Sequence, residues 1–371
     1  MSTNILTGII FVVVFGIVVL VHEIGHFAVG KFFKVKIEEF GIGLPPKMLT
    51  LFTWKETDFT INWLPLGGFN RFSGEGDPDI KGGLANASPG VRIAVLLAGS
   101  TMNFILGILV YTFIISQIGF PDFSKVIVGE VTPDSPAAEA GFRENDIFLE
   151  INSEAINSDA ELRAIILENV DEEIDFTLQR GEEIIETSAT PLSSRSVEEG
   201  AMGFLPSYTY VESPSILSSF AYGTQITFLH AREILLLPVK IISGAQEERV
   251  LGGLFSVARA VRETLGADIE SREEIAQLPA SSSEPTPLPT FYTWELIASL
   301  TITLGVFNLL PFPALDGGRI FFIIPELIFR KRVPANFENL VHGIGMMLLL
   351  GFMLYINVLD IVNPIDIILP K

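Results

Sequence analysis

The chain has 371 residues, of which 49% are hydrophobic and only 18% are charged, whereas soluble domains carry about 25% charged residues. Its 44 acidic and 24 basic residues give a net charge of −20, which argues against nucleic acid as a partner because phosphate binding needs clustered Lys and Arg. The absence of cysteine excludes disulfides, cysteine-ligated zinc, iron–sulfur clusters and thiol nucleophiles. These numbers favour a membrane protein over a soluble globular domain.

Four apolar segments are predicted to cross the lipid bilayer as helices. Residues 5–21 are an almost unbroken apolar run of roughly spanning length. The run ends in a polar motif rather than at a small-residue cleavage site, so we expect a retained helix and not a signal peptide. Similar runs cover residues 91–119, 291–310 and 340–359. The predicted fold class is an α-helical polytopic membrane protein with four transmembrane helices.

The basic residues near the span ends predict the orientation of these helices. Three lysines lie at 31–36, after the first span, and three basic residues lie at 330–332, between the third and fourth spans. The positive-inside rule puts both clusters in the cytoplasm. The region between the second and third spans, and both termini, are then expected outside.

Residues 121–207 have the composition of a soluble domain rich in acidic residues. Apolar patterning predicts strands at 126–128, 147–151 and 174–178. Helices are predicted at 135–140 and 159–169, with Ser135 and Ser158 as N-caps. We therefore expect one compact α+β domain here.

Two further regions are neither spans nor part of this domain. In residues 31–90, short alternating stretches are interrupted by Gly and Pro, and residues 59–64 predict a strand. In residues 208–290, amphipathic stretches favour helices on the membrane surface, followed by a Pro/Ser linker at 280–290. The predicted organisation is a first transmembrane helix (1–30), a membrane-associated β-hairpin and loop region (31–90), a second transmembrane helix (91–120), the α+β domain (121–207), surface helices and linker (208–290), a third transmembrane helix with a cytoplasmic loop (291–337), and a fourth transmembrane helix with a C-terminal tail (338–371).

The first span ends in the motif His22-Glu23-Ile24-Gly25-His26. On a helix, the two imidazoles lie one turn apart on the same face and can bind one zinc ion. Glu23 is placed to act as the general base on a water at the metal. The alternative is a pair of interfacial histidines without a metal, but ionisable residues at membrane depth are costly without a function.

A catalytic zinc ion needs a third protein ligand, and Asp316 is the predicted one. It lies in residues 308–318, at the cytoplasmic end of the third span, where prolines end the helix. His22 lies roughly 25 Å along its own helix, so both segments reach the same depth. His230 and His342 are poorer candidates, since one lies in an amphipathic stretch and the other starts the fourth span. An ordinary Asp-Gly turn is the alternative for Asp316.

The helical motif and the sequence Asn-x-x-Pro-x-Pro-x-Leu-Asp-Gly at 308–317 together resemble the site-2 protease family of membrane zinc metalloproteases. Residues 98–104 and the PDZ-like sequence at 128–146 make the chain similar to the bacterial branch, the regulator-of-sigma-E-type proteases, over nearly its whole length. The resemblance implies one extracytoplasmic PDZ domain, Zn²⁺ as cofactor, and a multi-pass protein of the bacterial cytoplasmic (inner) membrane whose active site faces the cytoplasm.

The resemblance also implies an intramembrane metalloendopeptidase. Its substrates would be single-span membrane proteins, such as anti-sigma factors or remnant signal peptides, cleaved within or near the transmembrane segment. A substrate helix must unwind before attack, and a strand around Ile61 that ends at Gly67 and Gly68 is predicted to pair with its exposed backbone. Asn308 and Asn103 are the other predicted substrate-binding residues.

Several alternatives stay open at this point. The strand could only support the bundle, and Asn308 could instead hydrogen-bond between helices. The PDZ domain could bind a peptide C-terminus or only exclude bulky substrates. The whole chain could be a membrane-anchored PDZ adaptor with a vestigial metal site, which would purify without zinc. A metal transporter would need ionisable residues along several spans, and the second and fourth have almost none.

Overall fold

The structure is a computed structural model that describes residues 3–193, 200–211, 213, 215–243, 252–278 and 288–365. The chain divides into two compact units, the first formed by Met1–Ile115 with Ser215–Leu369 and the second by Ser116–Pro214. In chain order, the elements are α1 (Thr3–Phe32), β1 (Ile37–Trp54), β2 (Thr57–Phe72), α2 (Pro89–Ile118), β3 (Phe120–Val131), α3 (Pro136–Glu139), β4 (Ile147–Ile151), β5 (Glu154–Ala155), α4 (Asp159–Glu168), β6 (Ile174–Arg180), β7 (Glu183–Ala189), β8 (Phe204–Val211), α5 (Ile216–Ile242), α6 (Leu254–Gln277), α7 (Tyr292–Leu309), α8 (Asp316–Phe329) and α9 (Ala335–Val362).

Helices form at all four predicted spans. Among the described residues, three helices are long and apolar enough to cross a membrane, namely α1 from Thr7, α2 and α9. The predicted third span corresponds to α7, which is 18 residues long, carries Glu295 and Asn308, and is not among these three. Crossing by α7, and with it the count of four spans, stays a prediction.

In residues 31–90, where a β-hairpin is predicted from the sequence, the first unit has two strands that extend well beyond the predicted stretch at 59–64. β1 and β2 form a two-stranded antiparallel sheet with several register shifts. The segment Phe40–Ile42 of β1 lies opposite Gly68–Asn70 of β2 and also opposite Phe59–Ile61. A later part of β1 returns to Phe59–Ile61 from the other side, with Leu49 opposite Ile61. The middle of β2 is therefore paired on both sides, whereas its end has one partner within the described sheet.

Two buried carboxylates bind the starts of neighbouring helices in the first unit. Asp360 of α9 accepts hydrogen bonds from the N–H groups of Gly253 and Ser256 (2.8 and 3.0 Å), at the start of α6. Asp268 of α6 accepts from the N–H groups of Tyr292 and Thr293 (2.9 Å each), at the start of α7. Each carboxylate satisfies amides that have no partner within their own helix and complements the helix dipole.

α5 lies along α2. A Cβ on Gly223 would be 2.8 Å from the Thr112 nitrogen, the hydroxyl of Tyr111 is 3.0 Å from Nδ1 of His230, and the rings of Phe104 and Phe228 stack with centroids 6.1 Å apart. The placement of residues 208–290 on the membrane surface stays a prediction. For α5, the packing along α2, which is a predicted span, argues against a position on the surface. Most of the predicted Pro/Ser linker, residues 279–287, lies outside the described residues.

The second unit is built on a sheet with strand order β7-β6-β4-β3-β8, to which β5 adds by pairing with β4. The predicted strands at 126–128, 147–151 and 174–178 lie in β3, β4 and β6. The predicted caps are present, since Ser135 accepts from the Ala138 N–H and Ser158 from the Glu161 N–H. The core consists of buried apolar side chains, among them Val126, Val128, Phe148, Ile151, Leu162, Ile174, Phe176 and Leu178.

A buried ion pair ties this sheet to the loop before β4. Asp146 is fully buried and accepts hydrogen bonds from Nε and Nη2 of Arg180 (2.7 and 2.6 Å) and from the Arg143 N–H (2.8 Å). Burial by itself would raise the pKa of Asp146, but these hydrogen bonds and the positive charge of Arg180 bring it below its usual value. The ionised carboxylate therefore stabilises the folded unit.

Asp146→Asn is expected to destabilise the second unit by about 2 kcal/mol, because hydrogen bonds to a buried charge are lost. A folded-state pKa below the unfolded value means that the stabilisation is complete above about pH 3.9 and is lost as the pH falls through the folded pKa. Hydrogen exchange of the β4 and β6 amides in the full chain, measured from about pH 2 to 6, should show a steeper acid loss in the wild type than in the variant. Asp175→Asn, at an exposed site on β6, is the matched control, and equal effects of the two variants would contradict the assignment.

Candidate metal centre

Three side chains from distant parts of the sequence converge in the first unit. His22 and His26 lie one turn apart on α1, and Asp316 is the first residue of α8. The Nε2 atoms of the histidines are 3.0 Å apart and lie 3.2 and 3.1 Å from Oδ2 of Asp316. Both histidines are buried, with 6% of each exposed. Among the described residues, these three form the group that could hold a metal ion.

The arrangement fits a zinc ion. Around a tetrahedral zinc with bonds of about 2.0–2.1 Å, ligand atoms lie about 3.3 Å apart, close to the spacing here. Oδ2 of Asp316 is buried and accepts no hydrogen bond from the described residues. A Cβ on Gly99 would lie 2.5 and 2.7 Å from the Nε2 atoms of His26 and His22, so the glycine keeps the space beside both nitrogens open. Two imidazoles, one carboxylate and an open position are a donor set typical of catalytic zinc.

The α2 helix orients the His26 ring. Nδ1 of His26 donates to the backbone carbonyl of Val95 at 2.7 Å, and Val95 is completely buried. A proton held on Nδ1 leaves the Nε2 lone pair for a metal. No sequence motif indicates this contact, because any residue type supplies a carbonyl.

Asn103, also on α2, contacts the other histidine, His22. Its amide Nδ2 is 3.2 Å from Nδ1 of His22, and its Oδ1 has no hydrogen-bond partner among the described residues. A 180° rotation of the amide would let Oδ1 accept the Nδ1 proton and leave Nε2 of His22 free for a metal. Asn103 is 0% exposed and lies behind His22, on the side of the ring away from the metal position.

Glu23 lies next to this group and is held by the end of β2. Nδ2 of Asn70 is 2.7 Å both from the Glu23 backbone oxygen and from its Oε2. The opposite amide orientation would put the Asn70 oxygen against two oxygens, so the NH₂ group must face Glu23. Sequence reasoning missed Asn70, although a polar residue directly after Gly67-Gly68-Phe69 was an available signal.

Two glycines directly after Asp316 let the start of α8 approach the backbone of the preceding segment closely. A Cβ on Gly317 would lie 2.3 Å from the carbonyl oxygens of Leu309 and Leu310, and one on Gly318 would lie 2.2 Å from that of Phe312. The first turn of α8 therefore packs directly on the end of α7 and its connecting loop. This packing fixes the position of Asp316.

A cavity of about 280 Å³ surrounds the group, and its lining includes Glu23, Asn70 and Asn308. Gly68 borders Glu23, because a Cβ there would be 3.4 Å from the Glu23 Cγ. Ile61 lies elsewhere on the sheet, with strand partners on both sides. The structure thus brings the four residues predicted as metal ligands and base together with Asn308, and it places Gly67 and Gly68 beside α1. Ile61 and Asn103 do not line this cavity.

Comparison with known proteins assigns the family. Residues 10–352 match the model of peptidase family M50. The chain belongs to peptidase family M50. A protein of Clostridium perfringens is 32% identical over 339 residues, which cover 91% of this chain and 93% of the relative. The zinc metalloprotease RasP of Oceanobacillus iheyensis is 26% identical over 431 residues (93% and 96%), and the regulator of sigma-W protease RasP of Bacillus subtilis is 26% identical over 427 residues (93% and 95%).

This membership confirms the prediction of an intramembrane zinc metalloprotease with Zn²⁺ as its cofactor, located in the bacterial inner membrane. Among solved structures, the PDZ domain of an SdrC-like protein from Listeria monocytogenes is 21% identical and covers 23% of this M50 protease and 88% of that chain, with a TM-score of 0.20. A likeness of this extent does not assign the fold of the second unit. The PDZ assignment therefore stays a prediction.

Proposed function

We propose that His22, His26 and Asp316 hold the zinc ion of this protease and that Glu23 is its general base. The observation that carries the proposal is the approach of the three ligand atoms to within 3.2 Å of one another, next to the Glu23 carboxylate. A bound zinc ion would polarise the scissile carbonyl and acidify a water molecule.

The chain's own residues supply the proton transfers. The Glu23 carboxylate accepts a proton from the attacking water as the water oxygen bonds to the carbonyl carbon. It then returns this proton to the leaving amine nitrogen as the C–N bond breaks. Asn70 holds the carboxylate in one position during both steps. Asn103 orients His22, a role that its burial supports better than contact with substrate. Asn308, which lines the cavity, is the proposed partner of the substrate backbone.

The substrate edge that we propose differs from the one expected from the sequence. Ile61 and its neighbours are paired on both sides, so their backbone has no open edge for a further strand. At the end of β2, Gly68–Asn70 pairs with β1 on one side only within the described sheet, and this end of the strand adjoins Glu23. An unwound substrate that adds to this edge would bring its backbone past the base.

If the substrate adds as a strand, N-methylation of its backbone should affect cleavage at alternate residues, which can be measured in detergent with a single-span substrate. Single N-methyl groups, moved residue by residue through the cleaved segment, are expected to lower kcat/KM by about tenfold at every second position. The period is two because alternate amides of an added strand face the sheet. If the strand only supports the bundle, no such alternation should occur. Uniform effects at all positions would therefore contradict the substrate-edge role of Gly67–Asn70.

For the second unit, we propose a site for a peptide C-terminus. A cavity of about 600 Å³ lies between α4 and the start of β8, lined by apolar side chains that include Leu162, Ile166, Met202 and Phe204. β8 is at one edge of the sheet order, so an extended peptide could add to it. The cavity favours binding over purely steric exclusion.

The orientation and the substrate class complete the proposal. Positive-inside counting supports a cytoplasmic active site, a second unit outside the cell membrane, and four crossings including α7. The name of the Bacillus subtilis relative, a regulator of sigma-W protease, supports single-span membrane proteins of the anti-sigma-factor type as substrates.

A further inference from the structure

The loop that delivers Asp316 to the metal group contains a residue in an unfavourable backbone conformation. Ala314, two residues before Asp316, has φ of 83°, in the left-handed region that residues with a Cβ seldom occupy. Such conformations persist when surrounding contacts fix them.

The contact comes from α9, which lies outside the metal group. The backbone N–H of Ala314 donates to Nδ1 of His342 at 2.9 Å. Because Nδ1 accepts this bond, the proton of the neutral ring is on Nε2, and Nε2 is buried with no hydrogen-bond partner among the described residues. One nitrogen of the His342 ring thus satisfies the Ala314 N–H, whereas the other has no partner among the described residues. This indicates that the contact with Ala314 determines where the ring lies.

A second feature of α9 acts on the same loop. Gly345 lies one turn beyond His342, on the same face of the helix. A Cβ at Gly345 would lie 2.4 Å from the Cβ of Pro313 and 2.7 Å from its carbonyl oxygen. The α9 backbone therefore touches the residue before Ala314, while His342 binds Ala314 itself. The Phe322 ring of α8 packs against the imidazole, with centroids 5.4 Å apart.

We infer that His342 is a positioning residue that fixes Asp316 at the metal through the Ala314 backbone. The inference rests on the proposed ligand role of Asp316. From the sequence, His342 was considered only as a poor candidate for a zinc ligand. In the structure its imidazole instead binds the loop that carries Asp316. The imidazole acts on the loop as a hydrogen-bond acceptor, and it does not touch the reacting atoms.

Two variants separate the acceptor from the bulk of the ring. His342→Leu fills similar space without an acceptor, whereas His342→Asn puts an amide oxygen close to the position of Nδ1. His230→Leu is the matched control, because His230 contacts Tyr111 and lies outside the metal group. The first readout is hydrogen exchange of the peptide over residues 312–318 in the metal-free full chain. The second is the rate of zinc release to a chelator.

We expect His342→Leu to speed exchange of the Ala314 amide and zinc release by about tenfold each. Loss of a residue that supports a metal ligand typically lowers metal affinity by about 10–100-fold, and this value is at the lower end of that range. His342→Asn should restore both rates to near the wild-type values, and His230→Leu should change neither. Unchanged exchange in His342→Leu, or equal exchange in the Leu and Asn variants, would overturn the inference. Faster exchange with unchanged zinc release would uphold the His342 anchor and count against Asp316 as a ligand.

Discussion

Replacing Glu23 by glutamine is expected to lower the rate of substrate cleavage by about 10²–10⁴-fold, the usual contribution of a general base, while zinc stays bound. The amide keeps the shape of the side chain and a bond to Asn70, but it cannot accept a proton from water. The three proposed zinc ligands are unchanged, so the zinc content should stay at the wild-type level. Cleavage of a single-span substrate in detergent and metal analysis of the same sample measure both quantities.

Glu38→Gln is the matched control for this experiment, because it makes the same chemical change at an exposed site beyond α1. Its rate and zinc content should equal those of the wild type. Cleavage by Glu23→Gln at more than about one tenth of the wild-type rate would show that Glu23 is not the general base. Loss of zinc in that variant would instead indicate that Glu23 supports the metal.

Asp316→Asn and His26→Gln are each expected to weaken zinc retention by at least about 100-fold, since even a residue that supports a ligand contributes 10–100-fold. A neutral amide is a poorer zinc ligand than a carboxylate or an imidazole. Competition against a chelator of known affinity, followed by metal analysis, gives the dissociation constants. Cleavage should fall in parallel with zinc occupancy and recover in part when zinc is added in excess.

His230→Gln is the control for His26→Gln, because it removes an imidazole that lies outside the metal group. It should retain the wild-type affinity for zinc. Wild-type affinity in Asp316→Asn would exclude Asp316 as the third ligand. Weaker binding in His230→Gln would show that zinc occupies a different set of side chains.

Local sequence signals predicted the three side chains that meet in the structure, because a zinc site requires particular residue types. A helix with His at positions i and i+4 presents both rings on one side. Pro311 and Pro313 follow the end of α7, and the Asp-Gly sequence after them begins α8. The partners of these residues left no such signal. The carbonyl of Val95, the space at Gly99 and the acceptor His342 act through tertiary packing, which no short motif records.

The β element also shows that local sequence patterns do not predict tertiary contacts. Alternation around Phe59–Leu64 predicted a strand correctly, since period-two patterning is local. It could not predict that two parts of β1 lie on either side of that strand, because pairing depends on residues distant in the sequence. The sequence-based hypothesis therefore included Ile61 together with Gly67 and Gly68 in the substrate edge, whereas the edge that we propose from the structure runs from Gly67 to Asn70. The role that we propose for Asn70 follows from its hydrogen bonds to Glu23, a tertiary contact that the sequence does not indicate.

The membrane helices were predicted well where apolar runs are long, as in α1, α2 and α9. α8 was missed because Gly317, Gly318 and Pro325 interrupt its pattern, although the glycines are needed for its contact with the end of α7. The interpretation of α5 as a surface helix followed from His230, Arg232 and Glu233. Packing of α5 on α2 is a tertiary contact that these charges do not reveal.

Anomalous X-ray scattering at the zinc edge, from crystals of the purified chain, tests the central claim most directly. We predict one zinc peak at bonding distance, about 2.0–2.2 Å, from Nε2 of His22, Nε2 of His26 and a carboxylate oxygen of Asp316. A zinc peak bonded to other residues, or a peak that keeps only two of these three ligands and leaves Asp316 turned away, would contradict the account.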